Sequence, residues 1–265
     1  MLKTLPSEKE YRAHDAVNFT SLKQLSQGPA AYRYFRDVGN AEGTTTDRIF
    51  RSAVHSRILT PELYAQEYVV YDGDRRTKLY KEFAAANAGK RILSGSEGEK
   101  VERYAEAALK HEFLSSLLAH TYTETEKAFV YTDPATGLQC KALIDIYNPI
   151  LRIIADLKSF RFVPHHKAAW VIRDGYWDVQ GVHYTIPGAM AAGCEQDEMS
   201  FANIIIMDSG EKGIETAWVW HGAGLVERAR NLREGWLRTV QTCTASGVWP
   251  QAYPGSEFVA EIETE

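Results

Sequence analysis

The chain has little that would crosslink it, hold it in a membrane or draw it wholesale to nucleic acid. Its 265 residues include three cysteines, Cys140, Cys194 and Cys243, odd in number and far apart. That usage supports neither a disulfide framework nor a four-thiolate metal cluster, and free thiols are expected. Apolar runs stay well short of the roughly 20 residues that cross a bilayer, and the opening MLKTLPSEKEYRAHD lacks the apolar centre of a signal peptide. A cytoplasmic protein is expected. Lys and Arg number 30 against 35 Asp and Glu, a net charge of -5, so a basic groove would have to be local. Glycine-rich phosphate loops and Ser/His/Asp nucleophile patterns are missing too, which leaves ATP hydrolysis and acyl transfer unsupported.

What is present is an ordinary globular composition, 45% apolar and 25% charged, long enough to bury a sizeable core. Helical spacing dominates the first part. Asn18 or Thr20 can cap SLKQLSQGPAAYRYFRD, which Gly28-Pro29 divides into two short helices. DRIFRSAVHSRIL carries Ile49, Phe50, Ala53, Val54 and Ile58 as a stripe ending near Thr60-Pro61, and residues 97–119 read as one amphipathic helix. After about residue 124 the period changes: EKAFVYTDPATGLQCKALIDIYNPILRIIADLKSF holds three strand-like runs of an antiparallel meander, with turns at Asp133-Pro134 to Gly137 and at Asn148-Pro149. Residues 165–192 read as helix, FANIIIMD and IETAWVWH as strands, and 222–245 as a closing helix. The expectation is one domain over 1–265 with an α/β (α+β) fold, a mixed sheet of about five strands flanked by helices. Residues 1–120 form its mainly helical region and 121–265 its core.

The stretch KALIDIYNPILRIIADLKSF, residues 141–160, puts Asp145 and Asp156 inside apolar runs. A carboxylate there is costly unless a metal, a cation or a proton offsets it. With Asn148 to Leu151 as a four-residue loop, Tyr147 pairs with Arg152 and Asp145 falls opposite Ile154. Alternation then places Asp145, Asp156 and Lys158 on one face. The two acids become diagonal neighbours, about 7 to 8 Å apart at the backbone, with the Leu157 carbonyl beside them. Two acids, a carbonyl and a lysine fit a hard cation such as Mg2+; a strand salt bridge between Asp156 and Lys158 is the plainer alternative.

Asp145 and, after ten intervening residues, Asp156-Leu157-Lys158 resemble the PD-(D/E)xK nuclease superfamily in its Asp-x-Lys form. Gln180-Gly181-Val182-His183-Tyr184 resembles the QxxxY signature of its RecB-like branch, with Gln180 and Tyr184 on one helical face. FRSAVHSRILTPELY, with His55, is similar to the helical histidine segment of RecE-type (exodeoxyribonuclease VIII-like) phage and prophage exonucleases. EKAFVYTDPATGLQCKALID, with Glu126, is similar to their strand entering the acidic hairpin. SLKQLSQGPAAYRYF and VWPQAYPG extend the resemblance over roughly residues 18 to 254. Two positions depart from it: Arg51 stands where a glycine is common, and Pro187 should kink or end the QxxxY helix.

The resemblance implies a restriction-endonuclease-like core and a Mg2+-dependent exodeoxyribonuclease, with Mn2+ able to substitute. Such an enzyme degrades one strand of linear duplex DNA 5′ to 3′ and leaves 3′ tails for a single-strand annealing protein in phage-type recombination. It also implies a ring-shaped homo-oligomer on double-stranded DNA ends, in a bacterial or phage-infected cell. Asp145, Asp156, the Leu157 carbonyl and His55 would ligate metal, and Lys158 would position and activate water. Glu126 would contact a metal-bound water or orient a cation, and Gln180 and Tyr184 would hold the phosphate or the site geometry. Lys141, Arg161, Lys167 and Arg173 are the candidate phosphate contacts. The alternatives are a structure-specific endonuclease with the same site and a catalytically idle DNA-binding module. The iron-sulfur relatives need four cluster cysteines and are excluded. Glu195 to Glu198 reads as a solvated acidic loop and His165-His166 as a surface feature at a helix start.

Overall fold

A computed structural model describes residues 1–39, 46–161, 163–210 and 213–252, with backbone alone at Arg161 and His165. The chain opens with β1 (Leu2–Leu5) and α1 (Glu8–Ala13), the latter capped by Ser7. Asn18 accepts from the Ser21 amide at 2.7 Å to start α2 (Phe19–Leu22), and Gly28-Pro29 separates the following turn from α3 (Pro29–Val38), the predicted division. Helix α4 (Thr46–Leu59) carries His55, stops before Pro61 as expected and leads into α5 (Pro61–Glu67). Next come β2 (Tyr68–Tyr71), α6 (Lys78–Ala86) and β3 (Arg91–Ser94). β2 and β3 pair in parallel as a small sheet that four-residue strands do not announce in sequence. The single helix expected over 97–119 is two, α7 (Gly95–Leu109) and α8 (Glu112–Ala119), broken at Lys110-His111.

The predicted meander follows as β4 (Glu124–Thr132), β5 (Gln139–Asn148) and β6 (Ile153–Arg161). The helix expected over 165–192 is also divided, at Gly175-Tyr176, into α9 (Ala168–Asp174) and α10 (Trp177–Ala192). Pro187 does not end α10, which runs on to Ala192. β7 (Ser200–Asp208), β8 (Ile214–Trp220) and α11 (Ala223–Ser246) complete the order. The main sheet runs β1-β4-β5-β6-β7-β8. It has six strands because Leu2–Leu5 pairs with β4, and it is mixed because β6 and β7 are parallel.

Each face of the sheet buries its own apolar layer. α10 and α11, with α2 and α3, cover Phe129, Tyr131, Ile144, Tyr147 and Ile154. α4, α7 and α8 cover Ile146, Ala155, Leu157, Ile204 and Ile206. Helix α10 lies against the strands with no room for two missing side chains. A Cβ at Gly181 would stand 2.6 Å from the Phe201 ring, and one at Gly188 2.5 Å from Ile154.

The hairpin register differs from expectation by two residues. Asn148 stays in the ladder opposite Ile153 and Tyr147 pairs with Ile154, so the loop is 149–152. The Asn148 carboxamide oxygen accepts from the amides of Ile150 and Leu151 at 3.1 and 2.8 Å, an Asx turn that lets asparagine end a strand and close the loop at once. A slip of two preserves the face of every residue. Asp145 and Asp156 therefore move from diagonal to level positions, Asp156 and Lys158 meeting Gln180 on α10 and Asp145 lying near His55 on α4.

Candidate active site

The β5–β6 ladder stops at Ile146 and Ala155. One step further the strands part and form a fork with Asp145 on one prong and Asp156 on the other. The Leu157 amide donates to Asp145 Oδ2 at 2.7 Å, and the Nδ1 atom of His55 on α4 lies 3.6 Å from the same carboxyl oxygen. On the other side, β4 pairs Thr125 with Ile146 and Lys127 with Ile144, which leaves Glu126 level with Asp145. Glu126 has φ 52, a left-handed backbone that costs energy in a residue with a side chain and tends to persist where surrounding structure imposes it at a site. Asn203 on β7 is the register partner of Asp156. Glu126, Asp145, Asp156 and Asn203 thus form one row across four strands.

The ligand atoms of His55, Glu126 and Asp145 lie within 4.8 Å of one another. Burial, then the charges of Asp156 and Glu126, push the Asp145 carboxyl well above its ordinary range. Burial, with Glu8 and Asp156 adding to it, pushes Glu126 up to about 7. Burial holds His55 down at about 4 against the pull of Asp156, so near neutral pH its imidazole is uncharged and keeps a lone pair for a ligand. Hard oxygen donors with one neutral imidazole suit a divalent cation. Once all three carboxyls of the fork are ionised they exceed the one ammonium by two charges, which such an ion would offset.

Asp156 is 2% exposed and every contact it makes is a donor. Its Oδ1 accepts from Gln180 Nε2 at 2.6 Å, and its Oδ2 meets Lys158 Nζ at 2.6 Å and Asn203 Nδ2 at 3.2 Å. Lys158 also donates to Gln180 Oε1 at 3.0 Å and lies over the Trp177 ring. One amide on α10 therefore grips both the acid and the lysine. Tyr184, one turn along, is buried and hydrogen-bonded to Gln180. The salt bridge offered as the plainer alternative exists, but inside the acid row.

The sequence from residue 18 to 259 matches the family described as a PDDEXK-like domain of unknown function (DUF3799). The chain belongs to this family. Membership makes it a protein of the PD-(D/E)xK nuclease type, and the fork is where that pattern falls. In shape the PD-(D/E)xK chain is similar to a crystal structure from Eubacterium rectale provisionally named an exonuclease, with a TM-score of 0.69 over 98% of this chain and 97% of that one at 12% identity. That likeness is one of fold. A phage related exonuclease from Haemophilus somnus 129PT aligns over 90% of this chain and all of its own length, at 13% identity with a TM-score of 0.36, too low to carry weight. Among curated proteins none matches the sequence significantly.

The structure brings Asp145, Asp156, Lys158, Leu157, His55, Glu126, Gln180 and Tyr184 together, and it removes one predicted phosphate contact. Lys141 is 5% exposed, its ammonium donating to the carbonyls of Tyr11 and His14 at 2.8 and 2.6 Å over the Tyr11 ring. Helix α1 covers the strand face that sequence reading left open, so Lys141 ties α1 to the sheet. Lys167 and Arg173 are exposed, Arg173 over the Trp170 ring; the side chain of Arg161 and residues 253–255 of the closing segment lie outside the described residues. The acidic loop at Glu195 to Glu198 is paired, Asp197 with Arg230 and Glu198 with Arg152. Sequence reading missed Asn203, 47 residues from its partner Asp156. Its only local signal is a polar residue amid the apolar run of FANIIIMD. All three cysteines are free thiols, and among the described residues no helix is long and apolar enough to cross a membrane.

Proposed function

We propose that the protein is a Mg2+-dependent exodeoxyribonuclease that degrades one strand of linear duplex DNA, 5′ to 3′. The observation that carries this reading is the convergence of His55, Glu126 and Asp145 at the strand fork, beside Asp156 and the Lys158 that it and Gln180 grip. His55, Glu126, Asp145, Asp156 and the Leu157 carbonyl would hold the ion, with Mn2+ able to replace Mg2+. When bound, such a cation would supply positive charge toward the scissile phosphate and make a water more acidic.

The chain's own groups account for orientation. Asp156 and Gln180 fix Lys158 from two sides, so its remaining N–H can align a water for attack in line with the leaving oxygen and can face the phosphate charge. Gln180 and Tyr184 hold that pairing from α10. Attack on phosphorus breaks the bond to the 3′ oxygen, which leaves as a hydroxyl, and each cycle frees a 5′ mononucleotide. The resemblance to RecE-type exonucleases supports the polarity, a ring-shaped homo-oligomer, and an annealing protein that receives the 3′ tail in phage-type recombination.

Incubation with Mg2+ and either linear or covalently closed circular duplex tests the reading. Linear DNA should be degraded, from a 5′ label first, while the circle stays intact. Cutting of the circle would replace the reading with a structure-specific endonuclease, and no cutting of either would leave an idle DNA-binding module.

A further inference from the structure

Asp156 can be satisfied only by donors, because an ionised carboxylate has no hydrogen to give. That fixes Asn203: its Nδ2 amide nitrogen must face Asp156 Oδ2, at 3.2 Å, and its Oδ1 must face away. Asn203 Oδ1 meets His221 Nε2 at 2.8 Å, so Nε2 must carry the hydrogen and the other ring nitrogen is the acceptor. Burial holds His221 down at about 4, which keeps the ring in this one neutral form at working pH. The imidazole is anchored just beyond β8 by its own amide, donating to the Phe201 carbonyl at 3.1 Å, and by an edge contact with the Phe201 ring. Asn203 is fully buried. Each hydrogen in the chain His221 to Asn203 to Asp156 therefore has one direction.

We propose that His221 is a positioning residue: acting through Asn203, it holds the Asp156 carboxylate in the rotamer that presents it to a divalent cation and to Lys158. The proposal deepens the nuclease reading and rests on its metal site. Without the His221 donor, Asn203 Oδ1 is left unpaired in the interior, and the amide loses the contact that fixes its plane against Asp156. Partners that orient a metal ligand in this way typically govern about 10- to 100-fold in metal affinity or activity.

His221→Phe keeps the ring against Phe201 and removes the donor, whereas His221→Gln offers an amide nitrogen in nearly the same place. His221 borders a cavity of ≈ 670 Å3, which gives either side chain room. Two measurements on the full chain decide the matter: Mn2+ binding followed by the free-ion paramagnetic resonance signal, and kcat and KM on linear duplex with Mg2+. His221→Phe should weaken Mn2+ binding about 10- to 100-fold and lower kcat by a similar factor, with KM for DNA within about twofold, and His221→Gln should restore most of both. Wild-type values in His221→Phe, or equal damage in the two variants, would overturn the proposal. Should the wild type bind Mn2+ but cleave no DNA, the nuclease reading fails while the Mn2+ series still decides the role of His221. A wild type that binds no Mn2+ overturns both.

Discussion

Helix α10 separates two buried charge clusters that differ in balance. On one side Arg233 donates to Asp133 Oδ2 at 2.6 Å, to the Tyr131 hydroxyl at 3.0 Å and to His183 Nδ1 at 3.2 Å, while His183 Nε2 faces the Lys141 carbonyl at 3.1 Å. One cation meets one anion, and burial with the nearby Arg233 holds His183 neutral. On the other side Gln180 bonds Asp156 and Lys158, and the fork holds two more carboxyl groups, Asp145 and Glu126. The closed cluster is architecture, because nothing remains for a ligand to satisfy. The open cluster is unfavourable in isolation, and its surplus of carboxyl groups is what the proposed cation would offset.

The sharpest way to break the contrast is to remove a member of each cluster. Lys158→Ala or Asp156→Ala should lower cleavage of linear duplex by at least about a hundredfold, with the circular dichroism spectrum retained; near-normal cleavage by either would remove the site assignment. Arg233→Met should do the opposite. It leaves Asp133 buried and unpaired at a cost of about 3 to 5 kcal/mol, read from urea unfolding, while the folded fraction keeps its cleavage rate.

Acidity should separate the clusters by sign. Burial alone would raise Asp133, but Arg233 and the Thr136 hydroxyl outweigh it and hold the carboxyl low. Its contribution is present above the unfolded value and is lost as pH falls through the lower folded one. Glu126 is raised, from 4.5 to about 7. Over that window the native state holds a proton at Glu126 that the unfolded chain has released, so the Glu126 contribution to metal-free stability falls as pH rises, while His55 and His221, held at about 4, contribute in the opposite sense up to their unfolded value. Unfolding in EDTA from pH 3 to 8 measures both limbs. Taken as differences from the wild type, Glu126→Gln should remove a contribution that falls between pH 4.5 and about 7, Asp133→Asn one that falls as the solution turns acidic, and saturating Mg2+ should diminish the first without touching the second.

The smallest effects belong to the surface. Lys167→Ala and Arg173→Ala should each reduce the slope of log affinity for DNA against log salt by about 1. Lys141→Met should leave that slope alone and lower stability instead.

The open cluster was partly legible in the sequence because alternation along a strand survives an error of two in register. Asp156 and Lys158 share a face and Asp145 lies level with Asp156, although Asn148 proved to be a ladder residue and not a loop residue. Gln180 and Tyr184 were legible through helical spacing. Glu126 was legible as a residue but not in its backbone, since its left-handed turn follows from the level it must reach beside Asp145. The closed cluster was hidden altogether: Asp133 looked like a turn residue and Arg233 lies 100 positions away on another element. β1 escaped notice because four residues carry too short an alternation, and Lys141 was misplaced because only α1 reveals that its face is covered.

The tight seating of α10 has a consequence for anyone wishing to control this protein. Since hydrogens at Gly181 and Gly188 are all that separate helix backbone from sheet, the helix behaves as a shim of fixed thickness. Gly181→Ala inserts one carbon beneath it, next to Gln180, and lifts an amide whose bond to Asp156 spans 2.6 Å. A single methyl group, added where no chemistry takes place, would serve as an off switch that leaves every acid and the lysine in the chain.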